Sequence, residues 1–356
     1  MSKNSGQIVA FPYWSDNPYL NMLYLAPRAA GWKLKTSTLL TSLLIQLDEV
    51  GAGDVVHIHW TSPIVQKADT REEAAEQLRA FQQGLDTALA NGAVLVWTVH
   101  NVRPHECLYP ELELELVNFL VDRAAAVHVL SKGTEIEASD YYTIPIAKIV
   151  HVPHASYSGV YDQSLSRADA RNRLGLADDE KALLFFGQMR AYKGLDVLFG
   201  AVERAAALGE TIVLLLAGKT KEEDLLAIEA VLPRNVRIIR DHSYIPDDST
   251  QDWFAAADLA VFPYKNVLNS GSVFLAATYG LPTILPNQDH MLRQFRAQKW
   301  IQFYDTANEV DSLGTLIADF DMTDVSLREE ATAFAEGYTP YDMSREFLKR
   351  LEAALS

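Results

Sequence analysis

The sequence predicts an α/β protein built in two halves, each a parallel sheet with helices between its strands. Three observations carry that reading. Short apolar runs alternate with helical patterns along the whole chain, as expected of consecutive βαβ units. A length of 356 residues suits two domains of ordinary size better than one small core. Between the two runs lies the polar, irregular stretch SYSGVYDQSLSRADARNRLGL, which sets a linker at residues 156–166.

In the first half, strands are expected at residues 7–11, 32–36, 55–59, 94–99, 126–130 and 149–152, with helical periodicity plainest over 71–90 and 111–123. The second half repeats the alternation, with strands at 182–186, 212–217, 236–239, 259–262 and 283–285. After Gly337 and Pro340, YDMSREFLKRLEAAL has the spacing of an amphipathic helix.

Composition narrows the function. With 31 Lys and Arg against 47 Asp and Glu, the net charge of −16 disfavours nonspecific contact with nucleic acid or anionic lipid. The single cysteine, Cys107, excludes an intramolecular disulfide and suits a reducing cytoplasm. The N-terminal MSKNSGQIVAFPYW has neither a long apolar run nor a cleavage pattern, so secretion is not expected. No stretch reaches the roughly 20 apolar residues of a membrane span. Residues 27–47 join Arg28, Lys33 and Lys35 to Trp32 and several leucines, a composition able to touch an anionic interface. A second strand followed by a core helix is the simpler account of that segment.

The most informative stretch is FFGQMRAYKGLDVLF, residues 185–199, which reads as a buried strand ending at Gly187, a turn, and a helix starting near Leu195. Arg190 and Lys193 sit in the turn. Backbone amides at a helix start, a glycine allowing close approach and two cations suit a diphosphate. Residues 258–285 repeat the arrangement: a strand, a polar loop, Ser270-Gly271-Ser272, a helix and another strand. Both loops fit the carboxyl ends of parallel strands, where α/β proteins place their ligands.

In the first half, VLVWTVH ends at His100 and runs into NVRPHE. His100, Asn101, Arg103, His105 and Glu106 therefore lie at or just past a strand end. HIHW sets His59 and Trp60 at another strand end, with His57 on the same face. Two histidines without a third ligand at suitable spacing do not make a metal site. Trp60 suits either a sugar ring or the core. In the loop YWSDNPYLN, residues 13–21, Asp16 stands as a candidate general base. Arg293 and Arg296 read as a solvated face, and Asp258 as a residue that caps or pairs near a strand start.

On these residues the chain resembles the sugar-nucleotide-dependent glycosyltransferases of the two-Rossmann-domain glycosyltransferase-B fold, specifically the bacterial group that includes exopolysaccharide and lipopolysaccharide enzymes. The first loop of that family commonly reads G-R-L-x-x-x-K-G. Here Lys193-Gly194 matches, Gln188 holds the usual arginine position, and Arg190 in R-x-Y-K-G stands in for it. The second loop resembles the E-x7-E segment, but aligning Gly280-Leu281-Pro282 puts Leu268 and Ala276 at its two glutamates. The histidine of T-x-H, His100 here, lies by the donor sugar in relatives.

The resemblance implies two Rossmann-like domains facing across a cleft: 1–160 for the acceptor and 161–337 for the nucleotide-sugar, with 338–356 crossing back to the first domain. It implies donor binding by Gly187, Arg190, Lys193, Tyr244, Ser270, Gly271 and Ser272, with Tyr244 in a loop near the nucleotide base. His100, Glu106 and Asp16 are its catalytic candidates. The implied activity is transfer of a hexose-type sugar from a UDP- or GDP-sugar to a lipid-linked or polysaccharide acceptor at the cytoplasmic face of the membrane, in bacterial surface or exopolysaccharide synthesis. Two other readings compete: a binding protein that lost catalysis with the glutamates, and a sugar-nucleotide epimerase of the same fold. Arg190, Lys193 and His100 favour an enzyme over the first, and the acidic pattern of such epimerases is not found. Because Arg190, Lys193 and helix N-termini can neutralise the leaving diphosphate, no metal or other cofactor is expected.

Overall fold

The computed structural model describes residues 6–265 and 267–355. Met1–Ser5, Asn266 and Ser356, which fall inside the domain ranges expected above, lie outside the described residues. The chain divides into two compact units, Met1–Ala155 with Pro340–Ser356, and Ser156–Thr339.

In the first unit, β1 (Gln7–Phe11), β2 (Lys33–Thr36), β3 (Val55–Ile58), β4 (Val94–Val99), β5 (Ala126–Val129) and β6 (Ile149–His151) form one sheet in the order β2-β1-β3-β4-β5-β6. Every neighbouring pair is parallel. Strands β3 and β5 bury every residue, as strands covered on both faces do. The charged KLKT of β2 forms one edge. The last helix, Pro340–Ala354, packs in this unit. Its buried Ser344 Oγ accepts from the Ala26 amide and donates to the Leu23 carbonyl, both at 2.7 Å.

In the second unit, β7 (Lys181–Phe186), β8 (Ile212–Ala217), β9 (Arg237–Asp241), β10 (Leu259–Val261), β11 (Thr283–Pro286) and β12 (Ile301–Tyr304) run in the order β12-β11-β10-β7-β8-β9, again all parallel. Strand β12 was not anticipated, because IQFY is a short edge strand with two half-buried central residues rather than a continuous apolar run. Together the sheets make the α/β fold of two Rossmann-like domains that the sequence predicts. In each sheet the chain order reverses once, at β1/β3 and at β7/β10. Such a reversal opens a crevice outside the carboxyl ends of the two strands.

Asp258 anchors the base of the second sheet. Its carboxylate accepts from the Ala182 amide at 2.9 Å, pairs with the buried Arg171 at 3.3 Å, and also meets Arg167. Arg171 in turn donates to the carbonyls of Ala256 at 3.1 Å and Glu180 at 2.7 Å. The pair thus joins the helix Arg167–Leu174 to the starts of β7 and β10. Removing one partner strands a buried cation, so Asp258→Ala should lower stability by about 3–5 kcal/mol, read as a shifted urea midpoint. A loss below about 1 kcal/mol, the scale of an exposed pair, would overturn this assignment.

Candidate functional site

At the β7/β10 reversal two loops meet. Strand β7 ends at Gly187, whose φ of +124° is open only to glycine. Beyond the turn, Gly194 has a φ of +74°, and a Cβ there would lie 1.8 Å from the Pro263 carbonyl oxygen of the loop after β10. No larger residue fits at that crossing. The two loops are also tied by the Lys265 amide donating to the Tyr192 carbonyl at 3.0 Å and by the Lys265–Asp196 ion pair at 2.6 Å. Gln288 Nε2 holds the second loop from beneath, donating to the carbonyls of Tyr264 at 3.1 Å and Lys265 at 3.2 Å.

Within this frame Lys193 lies over two rings, 4.4 Å from the centroid of Tyr264 and 5.4 Å from that of Tyr192. Among the described residues no carboxylate pairs with it, and burial pushes its amine down to about 8. Arg190 is held at 3.7 Å from Asp224, a distance that leaves its buried Nη1 without a hydrogen-bond partner. Ser270 caps the helix Gly271–Thr278, accepting from the Val273 amide at 3.4 Å and bonding the Tyr264 hydroxyl at 2.8 Å. Ser272 Oγ reaches the Phe186 carbonyl at 3.5 Å and lies 3.6 Å from where a Cβ on Gly187 would stand. Two cations, a helix N-terminus and two serines therefore gather at one strand end, a set suited to phosphate oxygens.

In the first unit the β1/β3 reversal and the end of β4 carry a histidine cluster. His100 stacks on Trp60, centroids 3.8 Å apart and planes 11° apart, and Trp14 also packs on Trp60 at 4.6 Å, its plane tilted by 49°. His100 Nε2 meets His59 Nδ1 at 3.1 Å. Burial pushes both imidazoles well below the usual histidine range.

Gly187, Arg190, Lys193, Ser270, Gly271 and Ser272 are thus brought to one end of the second sheet. Tyr244 lies on the loop after β9, 57% exposed, with its hydroxyl 3.4 Å from Asp247. Asp16 and Glu106 are exposed on their loops. Leu268 and Ala276, the positions that the resemblance aligns with the two glutamates, are both buried. Sequence reasoning missed Tyr264, which seats Lys193, and Asp224, which faces Arg190. It also missed Glu113, a buried carboxyl held by Thr61 and by Gln66 at 2.9 Å and pushed up by burial. The spacing E-L-E-L-E on the helix Pro110–Arg123 is the only signal for it, since only one of those acids faces inward.

Two Rossmann-like domains, with a phosphate-type set of residues at the second switch point, are the architecture of the glycosyltransferase-B fold. Residues 180–317 match the family described as "Glycosyl transferases group 1". Over 279 residues the chain is 24% identical to a GDP-mannose:glycolipid 4-beta-D-mannosyltransferase of Xanthomonas campestris pv. campestris, covering 77% of this chain and 71% of that one. Its fold is similar to HepE of Anabaena, solved with UDP and glucose, with a TM-score of 0.70, 11% identity, and 98% and 100% of the two chains covered. It is also similar to a glycosyltransferase from Rickettsia africae, with a TM-score of 0.64, 11% identity, and 99% and 98% covered.

The seat of Lys193 has a measurable signature. Its amine is charged below about 8 and neutral above it, whereas a solvated lysine stays charged to about 10.4. In the ligand-free protein the Lys193 Cε resonance should titrate with a midpoint near that lower value. A midpoint above about 10 would show a water-exposed amine.

Proposed function

We propose that this glycosyltransferase moves a hexose-type sugar from a UDP- or GDP-sugar to a lipid-linked or polysaccharide acceptor in bacterial surface or exopolysaccharide synthesis. The observation that carries the reading is Lys193, a cation lifted onto Tyr264 with no carboxylate partner among the described residues. Burial of such a charge is unfavourable unless an anion completes it. The names of similar proteins support the same chemistry: one is a mannosyltransferase named for GDP-mannose and a glycolipid, and another was solved with UDP and glucose.

In this reading Arg190 and Lys193 take the diphosphate oxygens. The helix N-terminus at Ser270-Gly271-Ser272 adds amides and hydroxyls, Gly187 lets the backbone approach, and Tyr244 borders the base. The acceptor oxygen attacks the anomeric carbon as the bond to the diphosphate breaks, its electron pair leaving on the nucleotide. His100 takes the acceptor proton, with Glu106 and Asp16 as the other candidate groups. The cations and helix dipole stabilise the leaving charge without a divalent metal.

Work on a lipid-linked acceptor places the enzyme at the cytoplasmic membrane face. No helix among the described residues is long and apolar enough to cross a membrane. Peripheral contact would use the segment of Lys33 and Lys35, where Leu39 and Ile45 are 64% and 65% exposed; recovery only in the soluble fraction of a liposome flotation would count against it.

Titration calorimetry with UDP, GDP and their sugars tests the donor site. Arg190→Ala and Lys193→Ala should each weaken binding by about 1.5–3 kcal/mol, and unchanged affinity in both would overturn the site. His100→Ala and Glu106→Ala should bind nucleotide like the parent and transfer sugar poorly. Transfer should persist in EDTA; loss restored by magnesium or manganese would overturn metal independence.

A further inference from the structure

Beneath His100 runs a chain of hydrogen bonds with no gap. His100 Nε2 meets His59 Nδ1 at 3.1 Å, and His59 Nε2 meets the Tyr24 hydroxyl at 2.8 Å. That hydroxyl meets His57 Nδ1 at 2.6 Å, and His57 Nε2 meets Thr98 Oγ1 at 2.7 Å. Thr98 Oγ1 meets His128 Nδ1 at 3.0 Å, and His128 Nε2 meets the Val152 carbonyl at 3.0 Å. Except for the half-buried His100, every side chain in it is at most 1% exposed. Phe347 of the last helix lies flat on His57, centroids 5.2 Å apart and planes 16° apart, and 5.6 Å from His128.

One end of this chain has no choice of role. A carbonyl oxygen only accepts, so His128 Nε2 carries the proton. Burial pushes His128 down to about 4 and the other three imidazoles well below their usual range, so each ring is neutral at pH 7 with a single N–H. His128 Nδ1 is then a lone pair and takes the Thr98 hydroxyl proton. Thr98 therefore accepts from His57 Nε2, and His57 Nδ1 accepts from Tyr24. Tyr24 accepts from His59 Nε2, and His59 Nδ1 accepts from His100 Nε2. Each donor settles the next, and the last consequence is at His100, where Nδ1 holds the lone pair.

We propose that this buried chain, anchored on the Val152 carbonyl, sets the tautomer of His100 and presents its Nδ1 as the atom that accepts the proton of the acceptor hydroxyl. Tyr24 and Thr98 are positioning residues in it. The proton moves from the acceptor oxygen to Nδ1 and gives an imidazolium; the oxygen's electron pair forms the new bond to the anomeric carbon, and the nucleoside diphosphate departs with the old one. The chain does not drain that proton, because a carbonyl closes its far end. Its work is orientation. The catalytic part of the inference rests on the role given to His100 above, whereas the tautomer part stands without it.

Thr98→Val keeps the shape and removes the hydroxyl. His57 Nε2–H would then face a methyl group, and a buried N–H without an acceptor costs more than a lone pair without a donor. The chain above the break reverses: His57, His59 and His100 become Nδ1–H, while His128 stays Nε2–H. Tyr24→Phe breaks a different link and should turn only His59 and His100. Thr98→Ser keeps the hydroxyl and should keep the parent tautomers.

Nitrogen-15 NMR of histidine-labelled protein reads each ring directly. The expected result is four Nε2–H rings in the parent, three reversed in Thr98→Val and two in Tyr24→Phe. In parallel, Thr98→Val should lower kcat by about 100-fold, the scale of losing a general base, with unchanged nucleotide affinity. Thr98→Ser should restore the rate, which a role in packing alone would not do. An Nε2–H His100 retained in both Thr98→Val and Tyr24→Phe overturns the proposal. Reversal with an unchanged kcat leaves the tautomer assignment standing and overturns the catalytic reading of His100.

Discussion

A parallel sheet covered by helices on both faces has little surface of its own on which to hold chemistry. What it offers is the row of strand ends, and at the point where the chain order reverses two of those ends part. Both units obey this constraint. At β7/β10 the turn Ala191–Lys193 and Pro263, Tyr264 and Lys265 after β10 converge, and at β1/β3 the loops carrying Trp14 and Trp60 do so. The closeness demanded there explains why Gly194 must be glycine, since its neighbour is a carbonyl oxygen rather than a movable side chain.

The same covering governs polar groups inside the strands. Thr98, His57 and His128 stand in β4, β3 and β5 where solvent cannot reach them, so their hydrogen-bonding groups must satisfy one another. In the second sheet the cost appears as charge instead. Asp258 gathers arginines and a backbone amide at the base of the sheet, whereas Lys193, at the opposite ends of the strands, has ring faces in place of an acid. One buried charge is thus met by opposite charge and a backbone amide, the other only by aromatic faces.

Much of the fold was legible because buried parallel strands read as unbroken apolar runs. LLFF before Gly187 and VLVWTV before His100 mark their own ends. Strand β12 was not legible, since an edge strand buries too little to write a clear pattern. The cation turn could be read from Arg190, Lys193 and Gly194 because turn chemistry is local. Tyr264 could not, because its place beside Lys193 depends on two strands far apart in sequence being neighbours in the sheet. The histidines of the buried chain were partly visible: VVHI and AVHV each carry one polar residue inside an apolar run. What such a residue touches is decided by register, Thr98 facing His128 across β4 and β5, and register is not written in either strand alone.

The helix Pro340–Ala354 completes the first unit although all of the second precedes it in the chain. Residues of the second unit are made before that helix, and until it docks the first unit keeps the Phe347 side of His57 and His128 uncovered. The half of the protein made first is therefore the half finished last, since until the last helix docks the histidines of its sheet stay in contact with water.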